Sequence, residues 1–151
     1  MVLSGRNILA LEAARHNYSR FTHKPCLIVP AADLILGTAA LNSAAAHTSG
    51  NTKSFYGLII AFPQLLPQSS LSQDADQYTS LWDGASSLLC PGGIFIAAFS
   101  STDAERFDRK KPSAFTRLGD IKREGFRALG YKMETRQQGS GVEAEVQDLA
   151  L

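Results

Sequence analysis

The sequence predicts an α/β domain with a mostly parallel sheet and an antiparallel C-terminal hairpin, and three observations carry that prediction. Two short β-rich apolar runs, Phe55-Tyr56-Gly57-Leu58-Ile59-Ile60-Ala61-Phe62 and Ile94-Phe95-Ile96-Ala97-Ala98-Phe99, have the composition of strands buried on both faces of a parallel sheet. A helix-sized segment over 71–89 separates them, which completes a βαβ unit. The same alternation of short apolar runs with longer polar segments continues toward the N-terminus.

Taken in order, Ile8-Leu9-Ala10-Leu11 predicts a short strand and residues 13–20 a helix that breaks before Pro25, since proline cannot continue a helix and biases its predecessor to extended geometry. Residues 26–29 predict the next strand, residues 33–46 a helical turn or short helix, and residues 47–52 a small-polar loop. The strand over 55–62 ends in a proline turn at Pro63. After the 71–89 helix, Pro91-Gly92-Gly93 punctuates the entry to the strand over 94–99, which stops at Ser100-Ser101-Thr102-Asp103. Ile121, Phe126 and Leu129 fall near helical spacing with Gly130 as a stop, and residues 132–138 and 142–151 alternate around Gly139-Ser140-Gly141 as the hairpin.

A chain of 151 residues with 44% hydrophobic content supports one domain with one core. The formal charge of +1 exerts no global pull toward nucleic acid or membrane. That balance hides an asymmetry: between Arg106 and Arg136 lie ten Lys or Arg against four acids, so this stretch is about +6 and the remainder about −5. No apolar run approaches the ~20 residues that span a bilayer, and the N-terminus lacks a basic region followed by an apolar stretch. The expected compartment is therefore intracellular, with the cytoplasm as default. Cys26 and Cys90 lie in or beside apolar runs, where free cysteine behaves as a small hydrophobe. His16, His23 and His47 lack ligand spacing. Ser100-Ser101 follows a strand without a Gly-x-Ser-x-Gly elbow, and Gly92-Gly93 precedes a strand instead of following one, so neither a hydrolase triad nor a phosphate loop is indicated.

The order "strand ending in a proline turn, helix, Leu88-Leu89-Cys90-Pro91-Gly92-Gly93, strand" resembles the fourth and fifth strands of the class I S-adenosylmethionine-dependent methyltransferases, a Rossmann-like family with a three-layer architecture. Residues 7–12 resemble that family's second strand, and the resemblance implies that Glu12, at its end, takes the cofactor ribose. Residues 26–34 resemble the third strand, which implies Asp33 and Leu34 beside the adenine. The resemblance extends over nearly the whole chain, but the first strand and its glycine-rich loop have no counterpart, so the domain is expected to be N-terminally incomplete. Read from the residues alone, Glu12 equally suits the first turn of a helix and Asp33 a helix cap.

Ala61-Phe62-Pro63-Gln64 follows the strand that resembles the family's fourth. The resemblance implies that Ala61 borders the cofactor and that Phe62, Pro63 and Gln64 line the substrate pocket. Family members that methylate planar amino groups carry Asn or Asp, then Pro-Pro and an aromatic; here Ala61 replaces the polar residue and Gln64 the second proline, which argues against base N-methylation. Pro63 also has the simpler role of ending a strand.

The basic stretch has two readings. Its Lys and Arg near Phe107, Phe115, Phe126 and Tyr131 could track an RNA backbone with aromatics stacking on bases, or they form a solvated face over core aromatics. Two functions follow from different classes: a methyltransferase, or fragment of one, using S-adenosylmethionine on an unidentified acceptor; and a non-catalytic methyltransferase-like domain acting by contact with RNA or protein. A nicotinamide-dependent enzyme would need the same missing glycine turn. In the family the missing strand lies between the second and fourth, so either the strands at Ile8 and Leu58 pair directly or another chain fills the gap. An exposed apolar edge associates, which predicts self-association or a protein partner, and no membrane contact.

Overall fold

The computed structural model describes residues 1–30, 38–49, 56–63, 65 and 74–135. Its elements are β1 (Val2–Gly5), α1 (Ile8–Ser19), β2 (Leu27–Pro30), α2 (Thr38–Ser49), β3 (Tyr56–Ala61), α3 (Asp74–Leu88), β4 (Leu89–Phe99), α4 (Ser101–Arg109), β5 (Phe115–Arg123) and β6 (Phe126–Met133). They form an α/β fold with parallel strands first and antiparallel strands last. β1 pairs in parallel with β2, and a separate four-stranded sheet has the order β3-β4-β6-β5. β3 and β4 are parallel, with Leu58 opposite Ile94, while β6 runs antiparallel to both β4 and β5.

Four expectations are corrected. The strand at Ile8 is a helix: Asn7 is extended and its side-chain oxygen accepts the Ala10 N–H at 3.1 Å, capping α1. The Ala10, Leu11, Ala13 and Ala14 that follow are strong helix formers, so the apolar run belongs to the helix and the strand moves forward to Val2–Gly5. The helix expected before Gly130 is replaced by the β5–β6 hairpin. It turns through Glu124-Gly125, where Gly125 has φ +85°, a conformation that favours glycine. Pairing with β4 overrides the local spacing of Ile121, Phe126 and Leu129. The C-terminal hairpin therefore lies earlier than expected; residues 136–151 are outside those described. α2 likewise continues through Ser49, so residues 47–49 are helical and not loop.

The core lies on one face of the four-stranded sheet. Phe95, Ala97 and Phe99 of β4, Leu129 and Tyr131 of β6 and Phe115 of β5 meet Leu81, Trp82, Ala85 and Leu88 of α3 and Ala104 and Phe107 of α4. Helix α4 is held at both ends by tyrosine hydroxyls: Tyr78 donates to Asp103 Oδ1 and Tyr131 to Asp108 Oδ1, each at 2.8 Å. Pro91-Gly92-Gly93, expected as a turn before the strand, lies within β4, which already begins at Leu89; its register with β3 shifts there. Gly92 has φ +79°, and a Cβ on Gly93 would stand 2.8 Å from the Cys90 carbonyl oxygen. Among the described residues, no helix is long and apolar enough to cross a membrane.

Candidate functional site

Parallel strands in open α/β sheets present ligands at their carboxyl ends. β3 and β4 run in register with Ala61 opposite Ala97, so their carboxyl ends, Ala61 and Phe99, lie side by side. Beyond them opens a cleft of about 380 Å³ lined by Phe62, Pro63, Ala98, Phe99, Ser100 and Phe126. Its position follows from local structure. Pro63 cannot donate to a ladder and ends β3, and Ser100 is extended as the residue that starts α4. The Gly125 turn brings Phe126 to the edge, one residue past the Phe99–Arg127 pair.

The cleft is shallow and open to solvent, and its lining is mostly apolar. Phe62 is 75% exposed and Phe126 41%, so two aromatic rings stand at the opening without being used by the core. Ala98 leaves space between them. The polar group on the lining, the Ser100 hydroxyl, donates to Asp103 Oδ2 at 2.8 Å, in the Ser-x-x-Asp arrangement of a helix start. Arg127 lies next to the cleft in sequence but sends its guanidinium to Asp120, Nε donating at 2.9 Å, and that ion pair holds the Asp120 carboxyl below the usual carboxylate range. The groups whose protonation is displaced lie elsewhere: burial and the Asp103 carboxylate push Tyr78 up to about 12, and burial and Asp108 push Tyr131 upward too. No lining residue is an acid or base poised for proton transfer. Among the described residues no group of His, Cys, Asp and Glu could hold a metal ion.

Of the residues singled out in the sequence, Ala61, Phe62 and Pro63 come together at this site, and Phe62 and Pro63 line the cleft. Glu12 is not at a strand end. It lies in the second turn of α1, exposed, and accepts from Arg15 Nη2 at 2.6 Å. The residues that do follow β1 are Arg6 and Asn7, and the strand closes on Gly5, so no carboxylate stands where a ribose-binding acid is expected. Asp33, Leu34 and Gln64 fall outside the described residues. Phe126, Ser100 and Ala98 were not legible as site residues. Phe126 reads as one face of a helix until the hairpin is known, although Gly125 before it is the turn signal that could have placed it.

The aromatics of the basic stretch divide. Phe107, Phe115 and Tyr131 are buried and unavailable for stacking on bases; Phe126 alone of the four is exposed. Arg117 pairs with Asp120 at 2.7 Å and with Asp108 at 3.4 Å, so part of the positive charge is neutralised within the fold.

No protein-family model and no curated protein sequence matches the chain. Solved structures do. N-methyltransferase NodS from Bradyrhizobium japonicum WM9, in complex with S-adenosyl-L-homocysteine, superposes with a TM-score of 0.57 at 12% identity, covering 87% of this chain and 65% of that one. The Escherichia coli protein yhhF, described as a candidate methyltransferase, gives 0.58 at 6% identity over 89% of this chain and 63% of its own. A methyltransferase from Pyrococcus furiosus gives 0.50 at 16% identity over 89% and 62%. This chain thus spans less than two thirds of each. At these identities the likeness is one of fold: over most of its length the chain has the Rossmann-like fold of the class I S-adenosylmethionine-dependent methyltransferases.

Proposed function

We propose that the chain serves S-adenosylmethionine-dependent methyl transfer as the part of the fold that seats the methyl acceptor. The observation that carries this reading is the apolar cleft at the carboxyl ends of the parallel β3 and β4, within a fold shared with methyltransferases. The cofactor, when bound, supplies an already electrophilic methyl group, so the protein's task is placement; orientation is worth on the order of 7 to 11 kcal/mol in favourable cases. Phe62 and Phe126 offer flat apolar walls, Pro63 fixes the turn that carries Phe62, and Ala61 adds no side chain beyond a methyl group. That lining suits a flat, uncharged portion of an acceptor.

The residues described around β1 do not fit capture of a ribose: Gly5, Arg6 and Asn7 provide no carboxylate, and Glu12 would have to leave Arg15. Contact with the cofactor is accordingly assigned to Asp33, Leu34 and Ala61, with Glu12 as the residue to be tested against them. The same observation favours the second reading, a methyltransferase-like domain that acts by contact through the basic residues of α4 and the β5–β6 hairpin, with RNA as the partner those charges suit.

Nuclear magnetic resonance titration with S-adenosylhomocysteine separates the two. The first reading expects saturable shifts at Ala61, Phe62 and Ser100 that weaken in Asp33→Ala. Absence of any shift at saturating ligand, together with salt-sensitive RNA binding, would establish the second.

A further inference from the structure

The face of the four-stranded sheet opposite the core is uncovered among the described residues. Strand register defines it. Leu58 lies beside Ile94 and Ile60 beside Ile96; Ala98 faces Ala128, Ile96 faces Gly130, and Ile121 faces Ala128. Leu58, Ile60, Phe62, Ile94, Ile121 and Phe126 are 38–75% exposed, whereas Phe95, Ala97, Leu129 and Tyr131, which alternate with residues of this face, are buried. Parallel strands ordinarily have both faces covered. The six side chains expose on the order of several hundred Å², within the ~300–600 Å² of the largest apolar patch on a typical monomer and a substantial part of the ~800 Å² that each partner contributes to a standard interface.

We infer that this face binds the same face of a second copy of the chain. Its relief is self-complementary: Leu58 and Ile60 form a ridge along β3, and Ala98, Ala128 and Gly130 form a trough across β4 and β6. A two-fold axis sets the ridge of each copy into the trough of the other, which is the closed, isologous arrangement that stops at a dimer. The centre of the face carries no charge. Its ionic residues, Lys132 opposite Ile94 and Arg123 opposite Phe126, stand at the ends, where their stems extend apolar cover and their heads reach water. An uncharged centre with a polar rim is the composition of homodimer interfaces. Phe62, Ala98 and Phe126 also line the cleft, so a second copy and an acceptor compete for that end of the face; the inference itself rests on strand register and exposure and not on the proposed function.

Sedimentation equilibrium across the micromolar range tests it. The chain is expected to run at twice 16.3 kDa. Ile60→Lys, at a side chain 57% exposed and outside the core, should raise the dimer dissociation constant about tenfold or more, equivalent to roughly 1.4 kcal/mol, with unchanged far-ultraviolet circular dichroism. Ala128→Trp, which fills the trough, should do the same and covers the case in which the lysine unfolds the strand. A monomer at every concentration overturns the inference, whatever else then covers the face. So does open-ended association, or a dimer indifferent to both substitutions.

Discussion

Trp82 and Phe107 are joined twice: their rings stack at 4.2 Å with planes 5° apart, and the Trp82 indole N–H donates to the carbonyl oxygen of Phe107 at 3.0 Å. The second link fixes the first. It ties α3 to the end of α4 in one rotamer and lets Phe95, Phe115 and Tyr131 pack around the indole edge.

Trp82→Phe keeps an aromatic ring and removes the donor, leaving the Phe107 carbonyl without it. The carbonyl still accepts the Lys110 N–H at 3.2 Å, so the loss expected is that of one hydrogen bond, about 0.5–1.5 kcal/mol, and Phe107→Ala should cost about 3–5 kcal/mol. Urea denaturation followed by circular dichroism measures both, and a Trp82→Phe chain as stable as the parent would show that the indole bond contributes nothing.

Gly93→Ala is expected to destabilise by about 1–3 kcal/mol. The new methyl group would meet the Cys90 carbonyl oxygen at 2.8 Å and Leu89 Cδ2 at 2.9 Å, and the first of these is backbone. Gly57→Ala, where a Cβ meets nothing within 4 Å, is the matched control and should stay close to the parent in chemical denaturation.

Alkaline pH should weaken the fold. Tyr78 is pushed from 10.0 up to about 12 and Tyr131 upward, both first by burial and then by their carboxylate partners. A raised folded-state value means that the native protein holds the proton more tightly, so stability is complete below pH 10 and declines as pH rises toward 12. The denaturation midpoint should fall across that window. Tyr78→Phe should flatten the fall while lowering stability at neutral pH, because Asp103 loses a donor.

Phe62→Ala and Glu12→Ala divide the site. Phe62 is exposed and lines the cleft, so its removal should weaken acceptor-side binding with little effect on stability, about 0.5 kcal/mol or less. Glu12→Ala removes an exposed pair with Arg15, of a kind worth at most about 1 kcal/mol. Calorimetric titration of S-adenosylhomocysteine into Glu12→Ala then decides its role: unchanged affinity removes Glu12 from the cofactor site, and a loss of orders of magnitude restores it.

The strands over 56–61 and 94–99 and the helix between them were legible as short apolar runs around a helix-sized segment, but the burial on both faces that those runs suggested is found on one face, since Leu58, Ile60 and Ile94 stay exposed on the other among the described residues. Ile8 to Leu11 misled for a different reason. Four apolar residues suit either element, and the deciding signal was the Asn7 cap, a single side-chain bond outside the run. The hairpin was misplaced because β5 earns its geometry from β6 and β4; eight of its nine residues are exposed, so its own sequence carries no alternation to read. The cleft was half visible. Phe62 and Pro63 follow a recognisable strand, whereas Phe126 arrives from a part of the chain whose register only the sheet determines.

The separation of β1 and β2 from the other four strands bears on how the protein opens. Helix α1 buries none of its residues, β1 and β2 hydrogen-bond only each other among the described strands, and α2 bridges to the larger sheet, accepting the Tyr56 hydroxyl at the Leu41 carbonyl at 2.6 Å. From the N-terminal strands, Val2 and Val29, both partly buried, reach the margin of the core, while α1 contributes nothing to it. The N-terminal thirty residues should therefore open before the rest, and their amides, those of α1 first, should exchange with solvent deuterium ahead of those of β4 and β6.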